Sequence, residues 1–246
     1  MPLRIVHVSD IHFSDGRWDE DSDQRRELIE DLQALVVGGG PIDAVLVGGD
    51  IAFSGQREQY DIARQWLADL IAVCGGIDES RIWTVPGNHD VDVSVVRQSA
   101  IAKDFRTTLR TCEIETIDHE LRNRVGLDPA NTVLFLPLAE YNEFASNYLS
   151  ETTPEAPHWQ DPTTLDVDGW PVCITGQNSV LNSDLDDRQS EDDSGHHRLV
   201  LGTRQCRLSR KDRPIHIVVA HHPPTWVRDW EVVQPLIPDP PMMCRL

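Results

Sequence analysis

Four short stretches of this chain carry the side chains best suited to chemistry. The first is Asp10-Ile11-His12. Residues i and i+2 of an extended or turning backbone point the same way, so this carboxylate and imidazole can grip one cation. Taken alone, such a pair is a weak signal. The second is Gly48-Gly49-Asp50, directly after a continuous apolar run. Glycines permit a sharp, close-packed turn, and a carboxylate there can bridge two cations or simply cap the turn. The third is Gly87-Asn88-His89-Asp90. Asn88 offers a neutral carbonyl oxygen to a metal, His89 can donate a proton or clamp an anion, and Asp90 can orient His89 through its second ring nitrogen. The fourth is His221-His222-Pro223-Pro224, where His221 is placed to ligate and His216, inside the preceding run, is read as structural. Together the stretches supply hard oxygen and borderline nitrogen donors and no thiolate. That set suits Mn²⁺, Fe, Zn²⁺ or Mg²⁺ better than a cysteine-bound structural zinc. Two cations about 3.5–4 Å apart can activate a water and stabilise in-line displacement at phosphorus.

These groups need elements to hold them. LRIVHVSD (3–10), IDAVLVGGD (42–50) and RIWTVPGNHD (81–90) read as buried strands that end on the polar groups. Between them, 23–37 places Leu28, Leu32, Leu35 and Val36 near one helical face. Residues 57–74 do the same with Tyr60, Ala63, Leu67, Leu70 and Ile71. The order β-α-β-α-β predicts helices covering a sheet, with the metal groups at the carboxyl ends of its strands. Further on, 94–124 and 137–149 read as helical, and 150–171 as an irregular loop or insertion. Residues 171–179 and 214–224 read as strands, 184–197 as a polar acidic loop, and the proline-rich tail as largely irregular.

The composition narrows the functions. The chain has 246 residues, with 41 acidic against 22 basic side chains, a formal net charge of −19. Bulk charge therefore speaks against long duplex DNA as a partner, although bound divalent cations would invert the potential of an acidic cleft. No apolar run is long enough to span a membrane, and the N-terminus reads as a strand, with no secretory signal pattern. Five widely spaced cysteines without a CxxC pair fit free thiols in the cytoplasm. With no GxGxxG or Walker lysine after the first strand, a dinucleotide-binding domain is a poor fit.

The four stretches, in this order and spacing, resemble the signature blocks of the calcineurin-like metallophosphoesterases. Gly176-Gln177-Asn178-Ser179 also resembles the Gly-x-Asn-Ser strand end of many members. The resemblance implies an α/β fold of four layers, two mixed sheets packed together and flanked by helices. It implies two divalent metal ions, Mn²⁺ first. Asp10 and His12 would bind one and Asp50 would bridge, while Asn88 and His221 would bind the other. His89, backed by Asp90, would contact the phosphate or protonate the leaving group. The implied activity is hydrolysis of a phosphoester, with a phosphodiester or a nucleotide expected here. Arg17, Arg57 and Arg124 are candidate anion contacts, and Trp18 is a candidate for stacking on a base.

One block departs from the family. Members usually close the site with a Gly-His-x-His block, whereas only 22 residues follow Pro224 and none is histidine. His196-His197 stands before His221, out of family order, and reads as part of the acidic loop's surface. The expectation is one phosphoesterase domain over 1–246 that is incomplete at its C-terminal end and lacks its last strands, with 150–197 as an irregular region within it. A fragment or variant of a real phosphoesterase, which can carry fused regulatory domains, is the preferred explanation; a site completed by water, by a symmetry partner in a homo-oligomer or by an unusual side chain is a second. The rival is a degenerate domain of the same fold serving as a non-catalytic binding or regulatory module.

Overall fold

The computed structural model describes residues 2–15, 21–125, 134–160, 165–184, 198–208 and 214–237. Three parallel strands, β1 (Ile5–Val8), β2 (Ala44–Val47) and β3 (Ile82–Thr84), form a first sheet in the order β1-β2-β3. They alternate with two long helices, α1 (Ser22–Gly39) and α2 (Arg57–Val73). The start of α2 is fixed by Gln59, whose buried side chain accepts hydrogen bonds from the backbone N–H groups of Ser54 and Gln56.

β2 shows how the sequence separates the layers. Successive strand residues face opposite ways. Val45 and Val47 pack with Leu32 of α1 and with Tyr60, Ala63, Leu67 and Leu70 of α2. Ala44 and Leu46 turn to the other side, where they meet Trp159, Val172, Ile174, Ile217 and Val219. These last residues belong to a second, mixed sheet. Its long strand β6 (Trp170–Gly176) pairs antiparallel with β4 (Trp159–Gln160) and β5 (Leu165–Val167), and parallel with β7 (Ile215–Val219). Val218, on the outer face of β7, packs with Leu201, Cys206 and Val233 around two short helices, α7 (Thr203–Cys206) and α8 (Trp230–Val233). The result is helix, sheet, sheet, helix: the expected α/β sandwich. Between the sheets in sequence lie α3 (Val93–Gln98), α4 (Ala100–Thr111), α5 (Ile117–Val125) and α6 (Ala139–Ala145). α4 is capped by Ser99 Oγ, which accepts from the N–H of Ala102.

The structure differs from the sequence reading in places. Residues 150–171 hold β4, β5 and the start of β6, because Trp159 is recruited to the inter-sheet core and its indole N–H donates to the Thr84 carbonyl at 2.8 Å. Leu28 and Leu35 of α1 are 42% and 69% exposed, so only Leu32, with the partly buried Ile29 and Val36, forms the seam of that helix. The acidic loop from 185, the pair His196-His197, Arg17, Trp18 and the tail beyond 237 lie outside the described residues. No described helix is long and apolar enough to cross a membrane. The four described cysteines are free thiols.

Candidate metal centre

Every strand that runs parallel to a neighbour delivers its polar group at its carboxyl end. Asp10 follows β1, Asp50 follows β2, Asn88 and His89 follow β3, Ser179 follows β6, and His221 and His222 follow β7. The loops after β1 and β2 stay in register beyond the sheet. The N–H groups of Asp10, His12 and Phe13 donate to the carbonyls of Gly49, Asp50 and Ile51 at 3.0, 2.9 and 2.8 Å. Arg25 of α1 braces the first loop, donating to the Ile11 carbonyl at 3.0 Å and lying over the Phe13 ring.

The backbone here is bent into unusual shapes. Among the described residues five non-glycines have positive φ, and three of them are Asp10 (56°), His12 (52°) and Asp50 (51°). Each such conformation costs on the order of 1–3 kcal/mol and persists only where its surroundings enforce it. Dense packing supplies that enforcement. Gly49 has φ of 99°, and a Cβ there would stand 2.8 Å from both the backbone nitrogen of Gly87 and Nδ1 of His221. A Cβ on Gly87 would press on the backbone nitrogen and side chain of Asp50. The loops of three strands therefore meet at van der Waals contact, which explains glycine in both positions.

Asp50 is the centre of the site and 3% exposed. Its Oδ1 accepts from the backbone N–H of His89 at 2.8 Å. Its Oδ2 lies 3.7 Å from Nε2 of His12 and 3.5 Å from Nε2 of His221. Two sets of ligating atoms gather within 4.8 Å of one another, His12 with Asp50 and His89, and Asp10 with Asp50 and His221. Sharing one carboxylate between two sets is the arrangement a binuclear divalent-metal site requires. The donors fit such ions: carboxylate oxygens and imidazole nitrogens, with Nδ1 of His12 buried and lacking a hydrogen-bond partner among the described residues.

Backbone carbonyls set the imidazole tautomers. Nδ1 of His221 is 2.9 Å from the Gly48 carbonyl, and Nδ1 of His89 is 2.7 Å from the Phe53 carbonyl. A carbonyl only accepts, so each ring carries a proton at Nδ1 and, in its neutral form, presents Nε2 as the lone-pair nitrogen. Burial opposes charge on Asp50, but His221 and the His89 N–H outweigh it and hold the carboxyl below its usual range. Burial likewise opposes charge on His221, yet Asp50 beside it pushes the ring up to about 9.

Asp90 has a different place from the one the sequence suggested. It is His89's ring that meets the Phe53 carbonyl, while the fully buried Asp90 carboxylate accepts from the N–H groups of Ile51 (3.2 Å), Ala52 (2.9 Å) and Gly87 (2.9 Å) and from the Tyr60 hydroxyl (2.8 Å). It ties the β2 loop, the β3 loop and α2 together. Burial first, and then the charge of Asp50, push its carboxyl up to about 6. Asn88 Oδ1 lies 3.1 Å from Nε2 of His222, whose Nδ1 is 2.9 Å from Ser179 Oγ. Burial, reinforced by His221, drives the His222 ring down to about 3, so it is neutral. Sequence reasoning missed Arg25, Tyr60 and the Ser179–His222 contact. Tyr60 was placed in the core by its helical period, but nothing in that pattern says its hydroxyl reaches Asp90. Arg124, a candidate anion contact, is instead paired with Asp104 and Glu120. Arg57 lies exposed at the first turn of α2.

The family model for calcineurin-like phosphoesterase matches residues 3–242. Among curated proteins, the chain is 24% identical over 123 residues to the uncharacterized metallophosphoesterase-like protein YydB of Bacillus subtilis, covering 50% of this chain and 25% of that protein. It is 23% identical over 154 residues to the DNA polymerase II small subunit of Methanothermobacter thermautotrophicus, covering 55% of this chain and 30% of that one. Those stretches span less than a third of either relative.

Proposed function

The chain belongs to the calcineurin-like phosphoesterase family, and we propose that it is a metal-dependent hydrolase of a phosphodiester or nucleotide. The observation that carries this reading is Asp50, buried, held at a left-handed φ, with one oxygen between two imidazole Nε2 atoms. A pocket tuned only for stability has no reason to concentrate strain on three would-be ligands. In this reading Asp50 would be shared by two divalent ions, Mn²⁺ the expected metal, with Asp10, His12, Asn88 and His221 supplying further ligands. Such a pair supplies Lewis acidity, activating water and neutralising charge on the phosphoryl oxygens.

The chain's own residues do the rest. His89, its Nδ1 proton held by the Phe53 carbonyl, turns Nε2 to the centre, where in protonated form it donates to the leaving oxygen. Asp90 acts at a distance, fixing the loops that carry Asp50 and His89 rather than touching substrate. His222 holds the Asn88 amide, and Ser179 holds His222. The bulk negative charge makes a small or single phosphorylated substrate a better fit than long duplex DNA.

Hydrolysis of bis(p-nitrophenyl) phosphate by the Mn²⁺-loaded chain tests the reading. Wild type is expected to turn it over, and Asp50→Asn to lose at least about 100-fold, as misplaced reacting groups do. Two metals bound without turnover of this or any nucleotide diester would leave the domain as a binding or regulatory module of a larger protein.

A further inference from the structure

Phe53 stands at the rim of the metal centre with half of its surface exposed (50%). An isolated exposed phenylalanine is ordinary on a protein surface, but this one is held in place from several sides. Its N–H donates to the Phe13 carbonyl at 3.0 Å, and its own carbonyl faces His89 Nδ1 at 2.7 Å. The next residue, Ser54, donates its N–H to the buried Gln59 at 2.9 Å. Gly55 then packs so closely on the Asp90–Asp92 backbone that a Cβ would stand 2.8 Å from the Asp90 carbonyl oxygen. The ring itself lies against two site residues, 5.5 Å from the His89 ring and 6.3 Å from that of His12. A rigid loop thus presents an apolar aromatic surface beside the group proposed to meet the leaving oxygen.

We propose that Phe53 is a specificity-determining residue, a platform on which a planar group of the substrate, a nucleobase, stacks while its phosphate lies at the metal centre. This rests on the phosphoesterase reading and narrows it to nucleotide-type substrates. Stacking of a base on an aromatic side chain is worth roughly five- to 150-fold in affinity and tolerates any base, because each has a π face. Phe53 thereby separates a nucleotide from the same phosphate on a bare sugar.

The test is calorimetric binding of three probes to the full, Mn²⁺-loaded chain: inorganic phosphate, and ribose 5-phosphate and adenosine 5′-monophosphate as their non-hydrolysable methylenephosphonate analogues. In wild type the adenosine compound is expected to bind about tenfold or more tightly than the ribose compound. Phe53→Leu, which keeps apolar bulk but removes the ring, should erase that difference and leave the other two affinities within about twofold. Phe53→Tyr, which keeps the ring, should restore it. An unchanged nucleotide preference in Phe53→Leu overturns the proposal alone. So does an equal loss for all three probes, which would mean the side chain acts through His89. Failure of all three probes to bind the wild-type loaded chain overturns the phosphoesterase reading together with it.

Discussion

Replacing Gly87 by alanine adds a single methyl group at the point where the β2 and β3 loops touch. The φ of Gly87 is −104°, a conformation open to any residue, so the effect is purely steric. The new Cβ would stand 2.8 Å from Cγ of Asp50, and nearer still to the Asp50 backbone nitrogen and Oδ1. Comfortable carbon–carbon contact is about 3.5–4.0 Å, so the loops must part by roughly 1 Å. A backbone nitrogen cannot rotate away. The neighbouring Gly49 admits no slack, and the Asp90 carboxylate ties Gly87 to Ile51 and Ala52. Over-packing of this kind costs about 1–3 kcal/mol. It should also pull Oδ1 of Asp50 off the His89 N–H and spoil the shared carboxylate. Urea unfolding in excess chelator reads the first effect and Mn²⁺ titration the second. Gly38→Ala is the control, since it sits in the last turn of α1 with no atom within 4 Å of the added methyl. It should be neutral or stabilising by up to about 1 kcal/mol. If Gly87→Ala stayed within about 0.5 kcal/mol of wild type and bound Mn²⁺ equally well, the packing argument for the centre would be refuted.

Other perturbations bear on His221, on Asp90 and on the buried cysteines. In the metal-free chain His221 is held protonated up to about pH 9 by Asp50, and ligation needs the neutral ring. Mn²⁺ affinity should therefore rise with pH towards 9, and binding at pH 7 should release close to one proton; calorimetry in buffers of different ionisation enthalpy would contradict this by showing none. Because that pKa is raised on folding, the ion pair's contribution to the stability of the chelated chain is full below about pH 6.5 and is lost as pH rises through about 9. Tyr60→Phe removes a 2.8 Å donor from the buried Asp90 carboxylate and should lower unfolding free energy by about 1.5–3 kcal/mol in urea, whereas a change below measurement error would deny Asp90 its tying role. Burial pushes the Cys206 thiol up to about 12 and that of Cys74 up to about 11, so brief iodoacetamide treatment of the native chain at pH 8 should spare both, as peptide mass spectrometry would reveal.

The parts of this protein legible in its sequence are those set by local pattern. The β-branched runs ending at Asp10, Asp50 and Asn88 announced buried strands; β2 and β3 are buried throughout and β1 only at Val8, and the strand-end polar groups do converge. α2 was readable because Tyr60, Ala63, Leu67 and Leu70 share one helical face and all are buried. α1 misled, since Leu28 and Leu35 repeat at helical spacing yet remain largely exposed; periodicity records which residues share a face, not which face the fold covers. β4 and β5 were hidden because strands of two or three residues leave no alternation to read, and their place is fixed by Trp159 and Leu165 reaching the inter-sheet core. The orientation of His89 by the Phe53 carbonyl was equally out of reach, because a backbone oxygen has no signature in a sequence. Left-handed φ at Asp10, His12 and Asp50 falls in the same class, although aspartate adopts it more readily than most residues.

The proposed function stands on a binuclear site built around Asp50. It is tested most directly by equilibrium Mn²⁺ binding to the full chain after complete removal of metal, followed by elemental analysis of the washed complex. Two ions per chain are expected in wild type, with a fall to one or none in Asp50→Asn, because both sets of ligands lose the shared carboxylate together. A wild-type chain that holds one ion or none, or an Asp50→Asn variant that still holds two with unchanged affinity, would contradict it.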